Sequence, residues 1–191
     1  MHAIFLGSHM TEAIAPRILS FGKLNQIVSA YLTAGGDQAE VTHRQVAAKA
    51  NGIVSSNVSD NAKFLKSIGL IQGNTGRFRL TEDGKRYAES LQSETDKASE
   101  QAPLILAKAI KRNPLFSQTL DFVTAHQPIP EKDLKDEIAR IGNIDVENVS
   151  TPTGAVIDML IVVGRLNRRP GPITGQPMIT SSLSPSSVAS E

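Results

Sequence analysis

The 191-residue sequence predicts a mainly helical fold with a small β-hairpin, built as two similar units joined by a helical connector. Three observations carry that prediction. Apolar residues recur at helical spacing through much of the chain, a glycine-flanked stretch around Asn74 and Thr75 interrupts them with hairpin chemistry, and the pattern returns later at one constant offset.

The first helix is marked by Leu24, Ile27, Val28, Tyr31 and Leu32 and ends at Gly35-Gly36-Asp37. Thr42 is placed to cap a short second helix carrying Val46, Ala47 and Ala50, which stops at the turn signal Asn51-Gly52. A third helix opens at Ser55 or Ser56. Its residues Val58, Ala62, Leu65 and Ile68 share one face, and Gly69 supplies the left-handed stop. Phe64 lies off that face and is expected to touch a neighbouring helix. "LIQG" and "RFRL" then flank Asn74-Thr75, with Gly73 and Gly76 at the edges, as two strands of a hairpin. Thr81, followed by Glu82 and Asp83, caps a last helix with Tyr87, Ala88 and Leu91.

Three helices, a two-stranded wing and a closing helix over residues 21–91 resemble the winged helix-turn-helix superfamily. Residues 55–71 are similar to the recognition helix of multiple-antibiotic-resistance-type repressors. The paired small polar start is Ser55-Ser56, followed by Val58, Leu65 and a terminal Gly69-Leu70-Ile71. The resemblance implies that the third helix enters the major groove and offers Ser55, Ser56, Asn57, Ser59, Asp60 and Lys63 to base edges. Asn57 could pair with adenine, and Lys63 could reach a phosphate or guanine. Arg44 and Lys49 would reach the backbone. In the wing, Arg77 and Arg79 share one strand face, suited to phosphate or minor-groove contact, while Phe78 and Leu80 turn inward. Asp60 departs from the pattern, because its carboxylate faces phosphates unless it accepts from cytosine or pairs with Lys63.

Residues 115–142 parallel residues 23–52, and residues 154–166 parallel residues 59–71. Ala62, Leu65, Ile68, Gly69 and Ile71 correspond to Ile157, Leu160, Val163, Gly164 and Leu166. The expected organisation is therefore a vector-derived start over residues 1–10, a winged-helix domain over 21–92, a helical connector over 93–113, a winged-helix-like domain over 114–169 and a flexible tail over 170–191, rich in Pro, Gly and Ser. In the second unit Ser59, Asp60, Lys63, Lys66 and Ser67 become Gly154, Ala155, Asp158, Ile161 and Val162. That helix is apolar nearly all round and is expected to be covered by the connector, the first unit or another subunit. Left exposed, Val156, Met159, Ile161 and Val162 would form a homodimer interface. The second wing holds two prolines and would leave Arg168 and Arg169 as isolated charges.

Residues 11–90 hold ten Lys and Arg against seven Asp and Glu, residues 91–150 seven against ten, and residues 151–191 three against two, so the basic character sits in the first half despite a net charge of +1. Aromatic content of 4% with no Trp argues against a stacking platform for single strands. The absence of cysteine removes disulfides and thiolate metal sites and suits a reducing, cytoplasmic setting. The apolar run at residues 155–164 is too short for a bilayer. No phosphate loop, metal spacing or nucleophile motif points to an enzyme, and no cofactor or metal is expected. His43 and His126 read as ordinary surface or core residues. The expected partner is double-stranded DNA, bound by a homodimeric transcriptional regulator. The alternative is a winged-helix protein-assembly module, which the weak net charge and Asp60 suit.

Overall fold

In the computed structural model, residues 12–93, 96–145, 149–171 and 176–182 are described, and residues 1–10 lie outside them. Described in this way the chain is mainly helical, with two small antiparallel sheets of three strands each. Among the described residues no helix is long and apolar enough to cross a membrane.

The first half begins with α1 (Phe21–Thr33), whose Leu24, Ile27, Val28, Ala30 and Tyr31 face the core. β1 (Val41–Thr42) leads directly into α2 (His43–Ala47). There the Thr42 hydroxyl accepts from Gln45 N (3.3 Å), and the Gln45 carboxamide oxygen accepts from Thr42 N (2.8 Å), a reciprocal cap for a very short helix. α3 (Ser55–Ser67) buries Val58, Asn61, Ala62, Phe64 and Leu65. It closes at Gly69 (φ 72°), with Leu70 N donating to Leu65 O (3.0 Å) and Gly69 N to Lys66 O (2.9 Å). β2 (Ile71–Asn74) and β3 (Arg77–Leu80) pair around Thr75-Gly76, both at positive φ (53° and 77°), a turn of the handedness that matches strand twist. The sheet order is β1-β3-β2, with Phe78 and Leu80 inward and Arg77 and Arg79 outward. Thr81 caps α4 (Glu82–Gln92) by accepting from Gly84 N (3.0 Å).

α5 (Asp96–Ile110) falls within the expected connector and packs on α4, with Leu106, Ala109 and Ile110 buried in the core. The second half then repeats the first. α6 (Pro114–His126), β4 (Ile129–Pro130), α7 (Glu131–Gly142), α8 (Ser150–Val162), β5 (Leu166–Pro170) and β6 (Pro177–Ser181) follow in the order of α1, β1, α2, α3, β2 and β3, and the second sheet has the equivalent order β4-β6-β5. The stop after α8 matches the stop after α3: Gly164 has φ 70°, Gly164 N donates to Ile161 O (2.9 Å) and Arg165 N to Leu160 O (2.8 Å).

Three expectations are corrected here. The flexible tail expected over 170–191 is replaced at residues 177–181 by β6, the central strand of the second sheet. Ile179 pairs with Ile129 on one side and Arg168 on the other and is fully buried, so one core side chain and two ladders order a segment of unpromising composition. The second unit accordingly runs past residue 169. Of the two prolines expected to break the ladder, Pro170 instead ends it, paired with Pro177 at the last step of β5–β6, and Pro172 lies outside the described residues. Nor is Arg168 isolated: its Nε donates to Glu131 (2.7 Å) and its Nη2 to Asp158 (3.2 Å).

α8 packs against α1, α7 and β5 within the same chain. Val156 and Met159, expected at a homodimer interface, are 0% and 2% exposed inside the core, Ile161 is partly buried against it, and Val162 is 46% exposed. Burial against the first unit explains the all-round apolar character of this helix. One continuous core thus joins both halves, and the Phe64 ring of α3 lies 6.4 Å from Phe116 of α6.

Candidate nucleic-acid interface

At 3.6 residues per turn the buried face of α3 leaves a polar stripe on the opposite side. Ser55, Ser56, Ser59, Asp60, Lys63 and Lys66 occupy it and are exposed. Lys66 connects this stripe to the hairpin: its Nζ donates to Gly73 O (3.0 Å) and Asn74 Oδ1 (2.8 Å), fixing the β2–β3 tip beside the helix. On the hairpin Arg77 and Arg79 are exposed. With its carboxamide oxygen turned to Arg79, the cross-strand Gln72 accepts from Nε (2.8 Å) and Nη2 (3.0 Å), which orients that guanidinium. Arg77 pairs in register with Thr42, so the hairpin also meets the start of α2, where Arg44 is exposed. Lys49, at the far end of that turn, is exposed as well.

The expected site residues are not equally placed. Asn57 is half-buried, and its Oδ1 accepts from Val54 N (3.4 Å), so its carboxamide closes the helix start rather than standing on the stripe. Lys63 is exposed but ion-paired with Glu12 at 2.8 Å. His43 stacks on Phe78 (5.3 Å between centroids) under the hairpin. Burial lowers its titration, an effect that the negative charge of Asp60 only partly offsets. Asp60 makes no hydrogen bond or ion pair among the described residues.

In the sequence Lys66 stands out only as the position that becomes Ile161 in the second unit, and its bridge to the hairpin has no signal there. Two features of the site have no counterpart in the sequence reading: the buried asparagines Asn61 (0% exposed) and Asn113 (1% exposed), which grip an N-terminal arm over residues 12–20. Asn61 Oδ1 accepts from Arg17 N (2.8 Å) and its Nδ2 donates to Arg17 O (3.0 Å) and Asn57 O (2.9 Å). Asn113 Oδ1 accepts from Ile14 N (3.3 Å) and Leu115 N (3.0 Å), while its Nδ2 donates to Ile14 O (2.5 Å) and Ser67 Oγ (3.0 Å). Each carboxamide therefore imitates a neighbouring β-strand, reading one N–H and one C=O of the arm. A polar residue in phase with the apolar face of α3 is the one signal that could have revealed Asn61.

The arm, α3 and the end of α7 enclose a cavity of about 360 Å³ whose lining includes Arg17, Asp60, Lys63, Phe64 and Asp145. Among the described residues no group of three or more His, Asp and Glu side chains is placed to hold a metal ion. Comparison with protein-family models, with curated proteins and with solved structures gave no match to this chain.

Proposed function

We propose that the chain is a double-stranded DNA-binding protein, a transcriptional regulator of tandem winged helix-turn-helix architecture. In this reading α3 enters the major groove and the β2–β3 wing contacts the backbone. The observation that carries it is the Lys66 bridge, which holds the Arg77/Arg79 hairpin beside the polar face of α3 so that one duplex could meet both. The repeated order of elements and strands supports the architecture. Ser55, Ser56 and Ser59 would approach base edges, and Arg44, Lys49, Lys63, Arg77 and Arg79 the phosphates. Asn57 would act by closing the helix start. A homodimer on two half-sites would use a surface other than Val156 and Met159, which are core residues.

A second reading, a protein-assembly module on the same face, is favoured by Asp60 and by the Glu12–Lys63 pair, which neutralises one stripe cation. Binding of random-sequence duplex, followed by fluorescence anisotropy across a salt series, separates the two. The DNA reading expects affinity to fall steeply with salt, and the Arg77→Ala/Arg79→Ala double variant to lose about two units of log–log slope if both arginines contact phosphates. No binding at low salt would sink it in favour of a protein partner.

A further inference from the structure

The arm gripped by Asn61 and Asn113 is laid along α3 in a definite direction. Its Ile14 is held by Asn113, which also bonds Ser67 at the C-terminal end of α3, whereas Arg17 is held by Asn61, which also bonds Asn57 in the N-terminal half. From residue 14 to residue 17 the arm thus runs towards the end of α3 that would enter the groove. The lengths agree: three extended residues span about 10 Å, and the six-residue step from Asn61 to Ser67 rises about 9 Å.

The position around the helix is equally defined. The arm shares its cavity with Asp60, Lys63 and Phe64, so it lies on the flank where the polar stripe meets the buried face. When a helix inserts in the major groove its stripe faces the base edges and its flanks face the groove walls, where the phosphates lie. The Arg17 side chain is exposed and makes no hydrogen bond or ion pair among the described residues. Directly after it Ile18 takes a left-handed conformation (φ 58°), costly for a β-branched residue, and the chain turns away into α1. The clamp on Arg17 and the start of α1 fix that bend between them. Gly142 leaves room for the arm, since a Cβ there would sit 2.9 Å from the Ala15 Cβ.

We propose that Arg17 is a further DNA-contacting residue: a cation delivered by the Asn61 clamp to the flank of α3, with a backbone phosphate as its ligand. This rests on the reading of α3 as the groove-entering helix. It also answers the problem posed by Asp60, because the arm brings a free positive charge to the cavity that this carboxylate lines.

The test is the salt dependence of full-chain binding to random-sequence duplex DNA. Arg17→Ala is expected to make the log–log slope shallower by about one unit, and Arg17→Lys, which keeps the charge, to restore it. Arg17 is exposed, so neither change is expected to affect folding, and equal thermal unfolding checks this. Gly142→Leu displaces the arm while keeping Arg17, and in that background Arg17→Ala is expected to change nothing further. A salt-sensitive wild type whose slope is the same in Arg17→Ala overturns the contact. A full Arg17→Ala effect with the arm displaced overturns delivery by the clamp. A wild type that does not bind duplex removes the DNA reading itself, before any variant is compared.

Discussion

Replacing Asn113 by alanine separates two contributions that this one side chain makes. Its Oδ1 caps α6 by accepting from Leu115 N (3.0 Å), and the same carboxamide pairs with both backbone groups of Ile14 and with Ser67. Loss of an N-cap costs about 1 kcal/mol. Each of the other hydrogen bonds contributes a net 0.5–1.5 kcal/mol in order of magnitude, at the lower end where water can reach the half-buried Ile14. Asn113→Ala is therefore expected to cost about 2–4 kcal/mol. Asn113→Ser keeps a capping oxygen but is too short to span the arm, so it should recover about 1 kcal/mol of that loss. Urea unfolding measures both, and the continuous core predicts one shared transition. Hydrogen exchange adds a local readout: the Ile14 amide loses protection in Asn113→Ala, while the Arg17 amide, held by Asn61, keeps it. A cost below about 0.5 kcal/mol for alanine, or an Ile14 amide as protected as before, would refute the reasoning.

Two further predictions concern stability. Thr75 occupies a left-handed position (φ 53°) in the wing turn, where a β-branched residue is strained and asparagine is tolerated. Thr75→Asn is expected to stabilise by about 1 kcal/mol and raise Tm by about 2–4 °C in a scanning calorimeter; a lowered Tm would contradict the turn assignment. Glu131, at the start of α7, pairs with Lys135 one turn along the same helix and with Arg168, which ties β5 to α7. Burial alone would raise its carboxyl, but hydrogen bonds and charge from Lys135 and Arg168 outweigh burial and hold it below its ordinary value. A depressed carboxylate stabilises the fold above its unfolded pKa, and the stabilisation disappears as pH falls through the folded value. Arg168→Ala should therefore cost about 1 kcal/mol or less at pH 7, given its exposure. The difference between variant and wild type should shrink as pH falls below the ordinary glutamate range and through the lowered Glu131 value, which denaturation at several pH values will measure.

The parts of this fold legible in the sequence are those set by local rules. Thr42 and Thr81 cap the helices they precede, Gly69 and Gly164 stop theirs in the left-handed region, and the 3.6-residue spacing of Leu24, Ile27, Val28 and Tyr31 marks a buried face. What was not legible depends on contacts distant along the chain. β6 looked like a tail because its composition is poor, yet Ile129 and Leu166 offer it a partner on each side and a core for Ile179. The arm has no periodicity at all, and what fixes its backbone is Asn61 within α3 and Asn113, which bonds Ser67 at the end of that helix, 52 positions apart in number. The apolar character of α8 and its need for cover were legible in the sequence, but which of the connector, the first unit or another subunit covers it was not, because its partner α1 is distant along the chain.

The same fold used twice does not offer the same surface twice, and the difference bears on how a duplex would be bound. Lys66 of α3 corresponds to Ile161 of α8, and Lys63 to Asp158. In the first unit the junction between helix and hairpin is made by a cation, Lys66, reaching neutral acceptors, so its positive charge stays uncompensated. In the second the hairpin cation Arg168 is compensated by Asp158 and Glu131, and the helix is held against α1. Under the proposed DNA reading a polyanion would be attracted by the first junction and would gain little at the second, where the helix is also sterically occupied. The second unit then serves as a support that fixes α1, and through the Phe64–Phe116 contact α3, against one continuous core. If the proposed DNA reading holds, each copy of the chain carries a single reading helix, and recognition of two half-sites requires a second copy rather than the second unit.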